Sequence, residues 1–206
     1  SIAMLTSFNE VNLAKVMEMR KELQDDFVKA NGIKLGFMSF IANAAANALQ
    51  RHPIVNASVD GNDIIYHGYA DISIAVSTDK GLVTPVLRNV ERMGFGDIEK
   101  GIAEYAKKAR DGKLGPADMS GACFTISSLG GIGGTYFAPI VNAPEVAILG
   151  VNKSVMKPVW DGKQFVPRLT LPMSLTADHR VIDGALATRF NVYLAQLLAD
   201  FRRVML

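Results

Sequence analysis

The sequence predicts a mixed α/β domain. Along its 206 residues, the spacing of apolar side chains alternates between a period of two, typical of strands, and a period of 3.6, typical of helices. Hydrophobic residues make up 49% of the chain and charged residues 20%, the balance of a globular protein with enough apolar material for a core. We find no internal repeat, low-complexity tract or linker, so we expect one domain over residues 1–206.

The first part of the chain predicts a strand followed by two helices. The strand lies around Met4 to Val11; Asn12 can then cap a helix that Asn31-Gly32 can end. The apolar residues that share one face of this helix are Val16, Met19, Leu23 and Phe27. A second helix has the small-residue sequence SFIANAAANALQR, so we expect it to be buried and to end at His52-Pro53.

The middle of the chain predicts strands joined by tight turns. The stretch VNASVDGNDIIYH predicts a hairpin around Asp60-Gly61, and DISIAVSTDKGLVTPVL predicts two strands joined at Asp79 to Gly81. An amphipathic helix from Asp97 to Asp111 ends at Gly112, and a polar loop then leads to the strand CFTIS.

The last third predicts a strand, a hairpin and a terminal helix. The strand EVAILGV precedes KPVWDGKQFVPRL, in which Asp161-Gly162 is the strongest hairpin signal in the chain. The final helix is expected from about Ala185 to Arg203. The apolar tip 204–206 that follows it either marks a contact with another subunit or tucks into the core of its own chain.

Composition argues against several kinds of partner and site. A net charge of +2 with mixed signs provides no basic stripe for nucleic acid, and no apolar run reaches the roughly 20 residues of a membrane span. The single cysteine, Cys123, cannot form an internal disulfide, so we expect a buried small hydrophobic residue in a reducing compartment. No pair of His or Cys has metal-ligand spacing, so no metal is expected.

His179 is the first candidate for chemistry. The stretch MSLTADHRVIDGALATRF begins as an apolar strand, breaks at Asp178-His179-Arg180 and resumes as a helix after Asp183. An imidazole held at a strand end with a carboxylate nearby suits a general base, because a hydrogen bond to one ring nitrogen leaves the other free to take a proton. The alternative is that Asp183 only begins the helix and His179 is a polar residue at its entrance. The other histidines, His52 and His67, are expected to be structural.

A glycine-rich loop is the second candidate. The strand CFTIS delivers Ser127 and Ser128 into a loop with four glycines between Gly130 and Gly134, which would let the backbone approach a ligand closely. The alternative is a flexible turn. The glycine spacing fits neither a P-loop nor a dinucleotide fingerprint. A serine hydrolase built from Ser127, His179 and Asp183 is disfavoured because the chain has no Gly-x-Ser-x-Gly elbow.

Four motifs occur in one order with consistent intervals: GLVTPVLRNV, FTISSLGG, APIVNAPEVAILGV and DHRVIDG. Over essentially the whole chain they resemble the catalytic domain of the dihydrolipoamide acyltransferases, which form the core of 2-oxo acid dehydrogenase complexes. The resemblance implies a chloramphenicol-acetyltransferase-like two-layer fold, a mixed sheet with packed helices, assembled as trimers with active sites between subunits. It also implies that lipoyl and peripheral-subunit-binding domains and a basic arm precede Ser1. The expected location is the bacterial cytoplasm, or the mitochondrial matrix in a eukaryote.

The resemblance implies a role for each candidate residue. His179 would remove the proton of the coenzyme A thiol as the sulfur attacks the thioester of an acylated dihydrolipoyl group, and the Ser127 hydroxyl would stabilise the oxyanion that forms. Asp183 would orient the loop around His179. Ser128 and Ser77 match positions that contact coenzyme A in similar proteins. Coenzyme A is thus a substrate, the lipoyl group is carried on a separate domain, and no metal is required.

The two halves of the chain resemble different branches of this family. From AMLTSFNEVN to DIEK the sequence is similar to the succinyl-transferring branch, and from KKARDGKL onward it is similar to the acetyl-transferring branch. Since the second half carries Ser127 and His179, acetyl is the expected acyl group; succinyl transfer and a catalytically inactive scaffold are the alternatives. The expected partners are a homotrimer within a 24-subunit cubic core, the decarboxylase and dihydrolipoamide dehydrogenase components, and a lipoyl domain, with no nucleic acid and no membrane.

Overall fold

The computed structural model describes residues 1–79 and 81–206 and has mixed α/β architecture. The helices are α1 (Ala14–Asn31), α2 (Phe37–Arg51), α3 (Phe95–Arg110), α4 (Pro116–Met119) and α5 (Gly184–Ala199). The strands are β1 (Met4–Asn12), β2 (Ala57–Asp60), β3 (Asp63–Tyr66), β4 (Ile72–Ile74), β5 (Val76–Thr78), β6 (Gly81–Val83), β7 (Val86–Leu87), β8 (Phe124–Ser128), β9 (Ala147–Val151), β10 (Val155–Trp160) and β11 (Phe165–Asp178).

A seven-stranded mixed sheet is the centre of the fold. Six of its strands lie in the order β1-β11-β9-β8-β4-β7, and β10 pairs with the first part of β11. β4, β8 and β9 are mutually parallel, whereas β1, β7 and β11 run antiparallel to their neighbours. The predicted mixed sheet is therefore confirmed. Two small hairpins, β2-β3 and β5-β6, stand outside it.

The helices cover one face of the sheet. α5 packs on β1 and β11, and α2 packs on α5 and α3. The aromatic contact between Phe124 of β8 and Phe190 of α5 marks this face, and Phe40 of α2 packs against Phe95 and Phe201 in the same core. α2 is buried over most of its length, as its small residues predict.

The opposite face of the sheet is polar and is covered by the long segment 129–146. Residues next to Phe124 and Ile126 along β8 point to this face because side chains alternate along a strand. One row of paired residues crosses five strands on this face: Ser73, Thr125, Ile148, Thr176 and Thr6. The neighbouring row includes Ser127, Gly150 and Ser174.

Most predicted elements are confirmed, and several boundaries differ. Gly32 ends α1 in the left-handed conformation, with φ of 70°. The prediction that Asn12 caps α1 is wrong, because Leu13 occupies the cap position and Asn12 instead accepts a hydrogen bond from the Ala14 N–H. The loop after α3 contains the short helix α4.

Two elements are shorter than the sequence predicts. The stretch 71–87 forms two pairs of short strands, because β4 and β7 belong to the main sheet whereas β5 and β6 pair only with each other. The turn predicted at Asp79 to Gly81 includes Lys80, which lies outside the described residues. The final helix ends at Ala199, because Asp200 is extended, and a 3-10 turn over Phe201–Met205 follows.

The apolar tip 204–206 is partly packed in the core of its own chain and partly exposed. Val204 packs against the core, whereas Met205 and Leu206 are 79% and 93% exposed. Cys123 is buried, as predicted, and burial raises the pKa of its thiol to about 11. Within the described part of the chain, no helix combines the length and the apolar composition needed to cross a membrane.

Gly150 provides a test of how the segment 129–146 is held. A Cβ built there would lie 2.5 Å from Ser174 Oγ and 2.9 Å from Phe137 Cζ, so we expect Gly150→Ala to force the covering segment away and to lower the free energy of unfolding by about 1–3 kcal/mol. Gly131→Ala is the matched control, since nothing lies within 4 Å of its Cβ position. Chemical denaturation measures both; equal stability of the two variants would contradict this packing.

Candidate active site

Ser127 lies at the carboxyl end of the parallel strands. It is the fourth residue of β8, is partly exposed, and pairs with Gly150 of β9. Since β4 runs parallel to β8, Ser77, three residues beyond the last paired residue of β4, lies at the same edge of the sheet. The glycine-rich loop leaves from this edge too. The prediction that the strand CFTIS delivers Ser127 and Ser128 into the glycine-rich loop is confirmed; the sequence did not predict that Ser77 lies at the same edge.

Ser128 and Ser77 line two different cavities at this edge. Ser128 lies in a cavity of about 330 Å³ with Gly130, Gly131 and Lys153, so the glycine loop does form the wall of a cavity. Ser77 lies in a larger cavity of about 520 Å³, which the last turn of α3 closes with Arg110. Each cavity therefore has a serine and a basic residue in its lining, and the cavity of Ser77 also has Asp79 and Asp111.

His179 lies at the opposite edge of the sheet, immediately after β11. Its backbone N–H donates to the carbonyl of Ala3 at 2.6 Å, and its side chain is exposed. The two charged residues beside it bind each other: the Arg180 guanidinium donates to both oxygens of Asp178, which is completely buried. Hydrogen bonds from Arg180 hold the pKa of the Asp178 carboxyl below its usual range. This pair fixes the turn that presents the imidazole.

Asp183 caps the final helix. Its carboxylate accepts a hydrogen bond from the Leu186 N–H at 2.7 Å at the start of α5. Among the hydrogen bonds of the described residues, none joins Asp183 to His179. Within one chain the Asp183 carboxylate therefore binds the helix N-terminus and not the imidazole.

Ser127 and His179 do not meet within one chain. Ser127 pairs with Gly150 of β9, and Gly150 pairs with Ser174 of β11. His179 follows Ser174 by five residues, just beyond the end of β11. At the usual spacings this is about 17 Å along β11 and about 10 Å across two strands, or about 20 Å in all. One chain therefore carries two separate half-sites.

Sequence reasoning missed a buried acid on the same face as Ser127. Glu145 is 3% exposed and accepts a hydrogen bond from Thr125 Oγ1 at 2.7 Å; Thr125 in turn bonds to Ser73 at 2.6 Å. Burial raises the pKa of Glu145 to about 7, outweighing the hydrogen bonds from Thr125 and Asn142 that favour the charged form. Its signal in the sequence was an acid at the start of an apolar strand, PEVAILGV.

Comparisons with known proteins identify the family of the chain. All 206 residues match the family model described as 2-oxoacid dehydrogenases acyltransferase (catalytic domain). The chain belongs to this family. It is 52% identical over 202 residues to the acetyltransferase component of the pyruvate dehydrogenase complex from Cupriavidus necator, covering 98% of the chain and 36% of that protein. It is also 52% identical over 207 residues to the succinyltransferase component of the 2-oxoglutarate dehydrogenase complex from Azotobacter vinelandii, covering 100% of the chain and 52% of that protein.

Solved structures of family members superpose closely on the chain. The cubic core of a pyruvate dehydrogenase multienzyme complex is 48% identical with a TM-score of 0.97, over 100% of this chain and 85% of the other. A dihydrolipoamide acetyltransferase from Azotobacter vinelandii, studied for the catalytic roles of a serine, a histidine and an asparagine, is 47% identical with the same score and coverage. Chloramphenicol acetyltransferase, at 17% identity and a TM-score of 0.63 over 95% of this chain and 88% of the other, shows the same fold. The predicted fold class is thus confirmed. The chain spans about a third to a half of the length of its curated relatives.

The raised pKa of Glu145 predicts a pH-dependent stability. A carboxyl whose folded-state pKa is above its ordinary value stabilises the fold fully below that ordinary value, and the stabilisation is lost as the pH rises through about 7. Between pH 4 and pH 8, ionisation of Glu145 should lower the unfolding free energy of the unmodified protein. Glu145→Gln stays neutral, so we expect its unfolding free energy to fall by about 3 kcal/mol less over the same range. Denaturant titrations across this range measure the decline.

Glu104→Gln is the control for this measurement, because Glu104 is an exposed acid on α3. This variant should keep the slope of the unmodified protein. If the Glu145→Gln curve runs parallel to that of the unmodified protein, then Glu145 is charged in the folded state and its burial does not cause the decline.

Proposed function

We propose that the chain transfers an acyl group, preferentially acetyl, from the dihydrolipoyl group of a lipoyl domain to coenzyme A. The observation that supports this most strongly is the spacing of the candidate residues. In the Azotobacter acetyltransferase the studied serine and histidine are 52 residues apart and the asparagine follows four residues later; Ser127, His179 and Asp183 have the same intervals. Asp183 replaces the asparagine and keeps an oxygen that caps α5.

The residues suit each step of this reaction. His179 takes the proton of the coenzyme A thiol as the sulfur forms a bond to the thioester carbonyl carbon. The carbonyl oxygen becomes an oxyanion, to which the Ser127 hydroxyl donates a hydrogen bond. The intermediate collapses with loss of the dihydrolipoyl sulfur, which takes the proton back from the imidazolium. Because no covalent enzyme intermediate forms, much of the rate comes from holding thiol and thioester together.

The separation of the half-sites requires a second copy of the chain. A hydrogen-bond donor and a base must both lie within about 3 Å of reacting atoms, yet Ser127 and His179 are about 20 Å apart in one chain by strand spacing. In a homotrimer, His179 of one subunit can face Ser127 of its neighbour. The 48% identity to a protein of a cubic core supports a 24-subunit particle. We propose that the exposed Met205 and Leu206 join trimers, and that decarboxylase and dihydrolipoamide dehydrogenase components bind this core.

Succinyl transfer is the second candidate, and Lys153 favours it. A succinyl group ends in a carboxylate that a cation would bind, and the Lys153 side chain lines the cavity of Ser128, next to Ser127. The curated relatives of this chain include both succinyltransferases and acetyltransferases at 52% identity. A catalytically inactive scaffold is disfavoured, since Ser127 and His179 are both present.

Acyl transfer by the assembled protein tests the function directly. We expect kcat/KM to be higher with acetyl-dihydrolipoamide than with succinyl-dihydrolipoamide. His179→Ala should lower kcat/KM by at least about 100-fold, and the ionisation of the base should be missing from its pH profile. Ser127→Ala should lower kcat by about 100-fold or more. Absence of activity in the unmodified protein would indicate a scaffold.

Lys153→Met separates the two acyl groups in the same assay. If the enzyme is a succinyltransferase, succinyl transfer exceeds acetyl transfer and falls in this variant while acetyl transfer is kept. That result would overturn the preference for acetyl.

Mixing two inactive variants tests the shared site. When Ser127→Ala and His179→Ala chains are unfolded together and reassembled in equal amounts, about one quarter of the intersubunit sites receive an intact serine and an intact histidine, so about one quarter of the activity should return. Each variant reassembled alone is the control. A mixture as inactive as its components, in particles shown by light scattering to be mixed trimers, would contradict a site formed between subunits.

A further inference from the structure

The glycine-rich loop has few contacts of its own that fix its shape. The Ile132 and Gly133 N–H groups donate to the carbonyl of Leu129, which forms one turn directly after β8. Nothing lies within 4 Å of the Cβ positions of Gly131 and Gly133, and the Ile132 side chain is 81% exposed. Glycine loses more conformational freedom on ordering than any other residue. The loop therefore needs a contact at its far end to keep one conformation.

Tyr136 makes a contact at the far end of the loop. Its ring meets that of Phe8 edge to face, with ring centroids 5.2 Å apart, and its hydroxyl donates to Glu10 Oε1 at 2.8 Å. Phe8 and Glu10 lie on β1, which is about 14 Å from β8 at the usual strand spacing. Among the described residues, this is the only hydrogen bond made by a side chain of residues 129–136. Tyr136 thus fastens the loop to the opposite side of the sheet.

Lys157 holds the carboxylate that Tyr136 binds. It lies on β10, and its ammonium group donates to the same oxygen of Glu10. This hydrogen bond and the one from Tyr136 hold the pKa of the Glu10 carboxyl below its usual range. Burial, and to a lesser extent the hydrogen bond to Glu10, raises the pKa of the Tyr136 hydroxyl to about 12. At neutral pH the phenol is therefore a donor and the carboxylate a charged acceptor, a combination that gives the stronger hydrogen bonds.

The position of the loop matters because the loop forms a wall of the cavity of Ser128. Gly130 and Gly131 line this cavity together with Ser128 and Lys153, and Ser128 directly follows Ser127 on β8. When the loop leaves this wall, a ligand of the cavity has to order the loop again as it binds. The free energy of that ordering lowers the apparent affinity of the ligand.

We propose that Tyr136 is a positioning residue for the acyl transfer: by binding Glu10, it holds the glycine-rich loop against the cavity of Ser128, where coenzyme A binds. This inference rests on the function proposed above and on the contact of Ser128 with coenzyme A that the family resemblance implies. The residue after Tyr136 is held separately, because the carbonyl of Phe137 accepts from Ser174 Oγ at 2.6 Å. Loss of the Tyr136 hydroxyl therefore frees the loop and leaves the rest of the covering segment in place.

Hydrogen exchange on the assembled protein tests the contact without an assay of activity. Tyr136→Phe removes the hydroxyl and keeps the ring on Phe8, so we expect the two hydrogen-bonded amides of the loop, those of Ile132 and Gly133, to exchange at least about fivefold faster. The matched control is Tyr66→Phe, because the Tyr66 side chain is 59% exposed and its hydroxyl has no hydrogen-bond partner among the described residues. This variant should exchange like the unmodified protein.

Binding of coenzyme A connects the loop to the reaction. We expect Tyr136→Phe to raise both the dissociation constant of coenzyme A, measured by calorimetry, and its KM by about fivefold, while kcat stays within about twofold. Glu10→Gln keeps an acceptor oxygen without the charge, so its dissociation constant should lie between those of the unmodified protein and Tyr136→Phe. A residue that only stabilises the fold would lower the free energy of unfolding and leave the dissociation constant unchanged.

Each contrary result has a distinct meaning. Unchanged exchange in Tyr136→Phe would show that the hydroxyl does not hold the loop, and faster exchange with an unchanged dissociation constant would show that coenzyme A does not use this wall. Either result overturns the proposal, as does an unmodified protein that does not bind coenzyme A. A protein that binds coenzyme A but transfers no acyl group would contradict the proposed function alone, since exchange and calorimetry still decide whether Tyr136 positions the loop.

Discussion

The position of β9 between β8 and β11 is the constraint on which the rest of the molecule depends. β9 runs parallel to β8 and antiparallel to β11, so the carboxyl ends of β8 and β11 lie at opposite edges of the sheet. Ser127 leaves at one edge and His179 at the other. No loop movement closes that gap without breaking the hydrogen-bonded ladder. The strand order, and not the loops, therefore keeps Ser127 and His179 apart in one chain.

The polar face of the sheet explains how Ser127 is held in place. Hydroxyl groups lose hydrogen bonds to water when they are buried, so each needs a partner inside the protein. Ser73 and Thr125 bond to each other, Thr125 bonds to Glu145, and Ser174 donates to the carbonyl of Phe137 in the covering segment. Hydrogen bonds are directional, so a fully satisfied network fixes its side chains in one arrangement, whereas apolar side chains can pack in several. Ser127 lies on the same face of β8 as Thr125, so the strand that carries it is held in one position by this network.

Local turn residues made the hairpins predictable, whereas the strand order that separates Ser127 from His179 does not follow from local sequence. Asp60-Gly61 and Asp161-Gly162 specify their turns locally, so both hairpins follow from a few residues. The division of residues 71–87 into two strand pairs does not follow from local sequence. It arises where the Ala75 N–H donates to the carbonyl of Ile126, more than 50 residues away. The residue types of the site were likewise predicted from motifs. Their separation was expected only through the family resemblance, which implies sites between subunits; local patterns do not predict it, since it depends on which strands are neighbours. Glu145 was missed because its partner Thr125 lies on another strand.

The surroundings of His179 show what one chain contributes to the base. The nearest carboxylates are both engaged: Asp178 binds Arg180, and Asp183 binds the Leu186 N–H. Neither is positioned by the described hydrogen bonds to accept a proton from the imidazole. The two pairs instead fix both ends of the turn that carries His179, and its N–H is held by the carbonyl of Ala3. Since main-chain contacts hold the turn while the side chain is exposed, each chain presents the His179 imidazole in a defined place, which is what the proposed site between subunits requires.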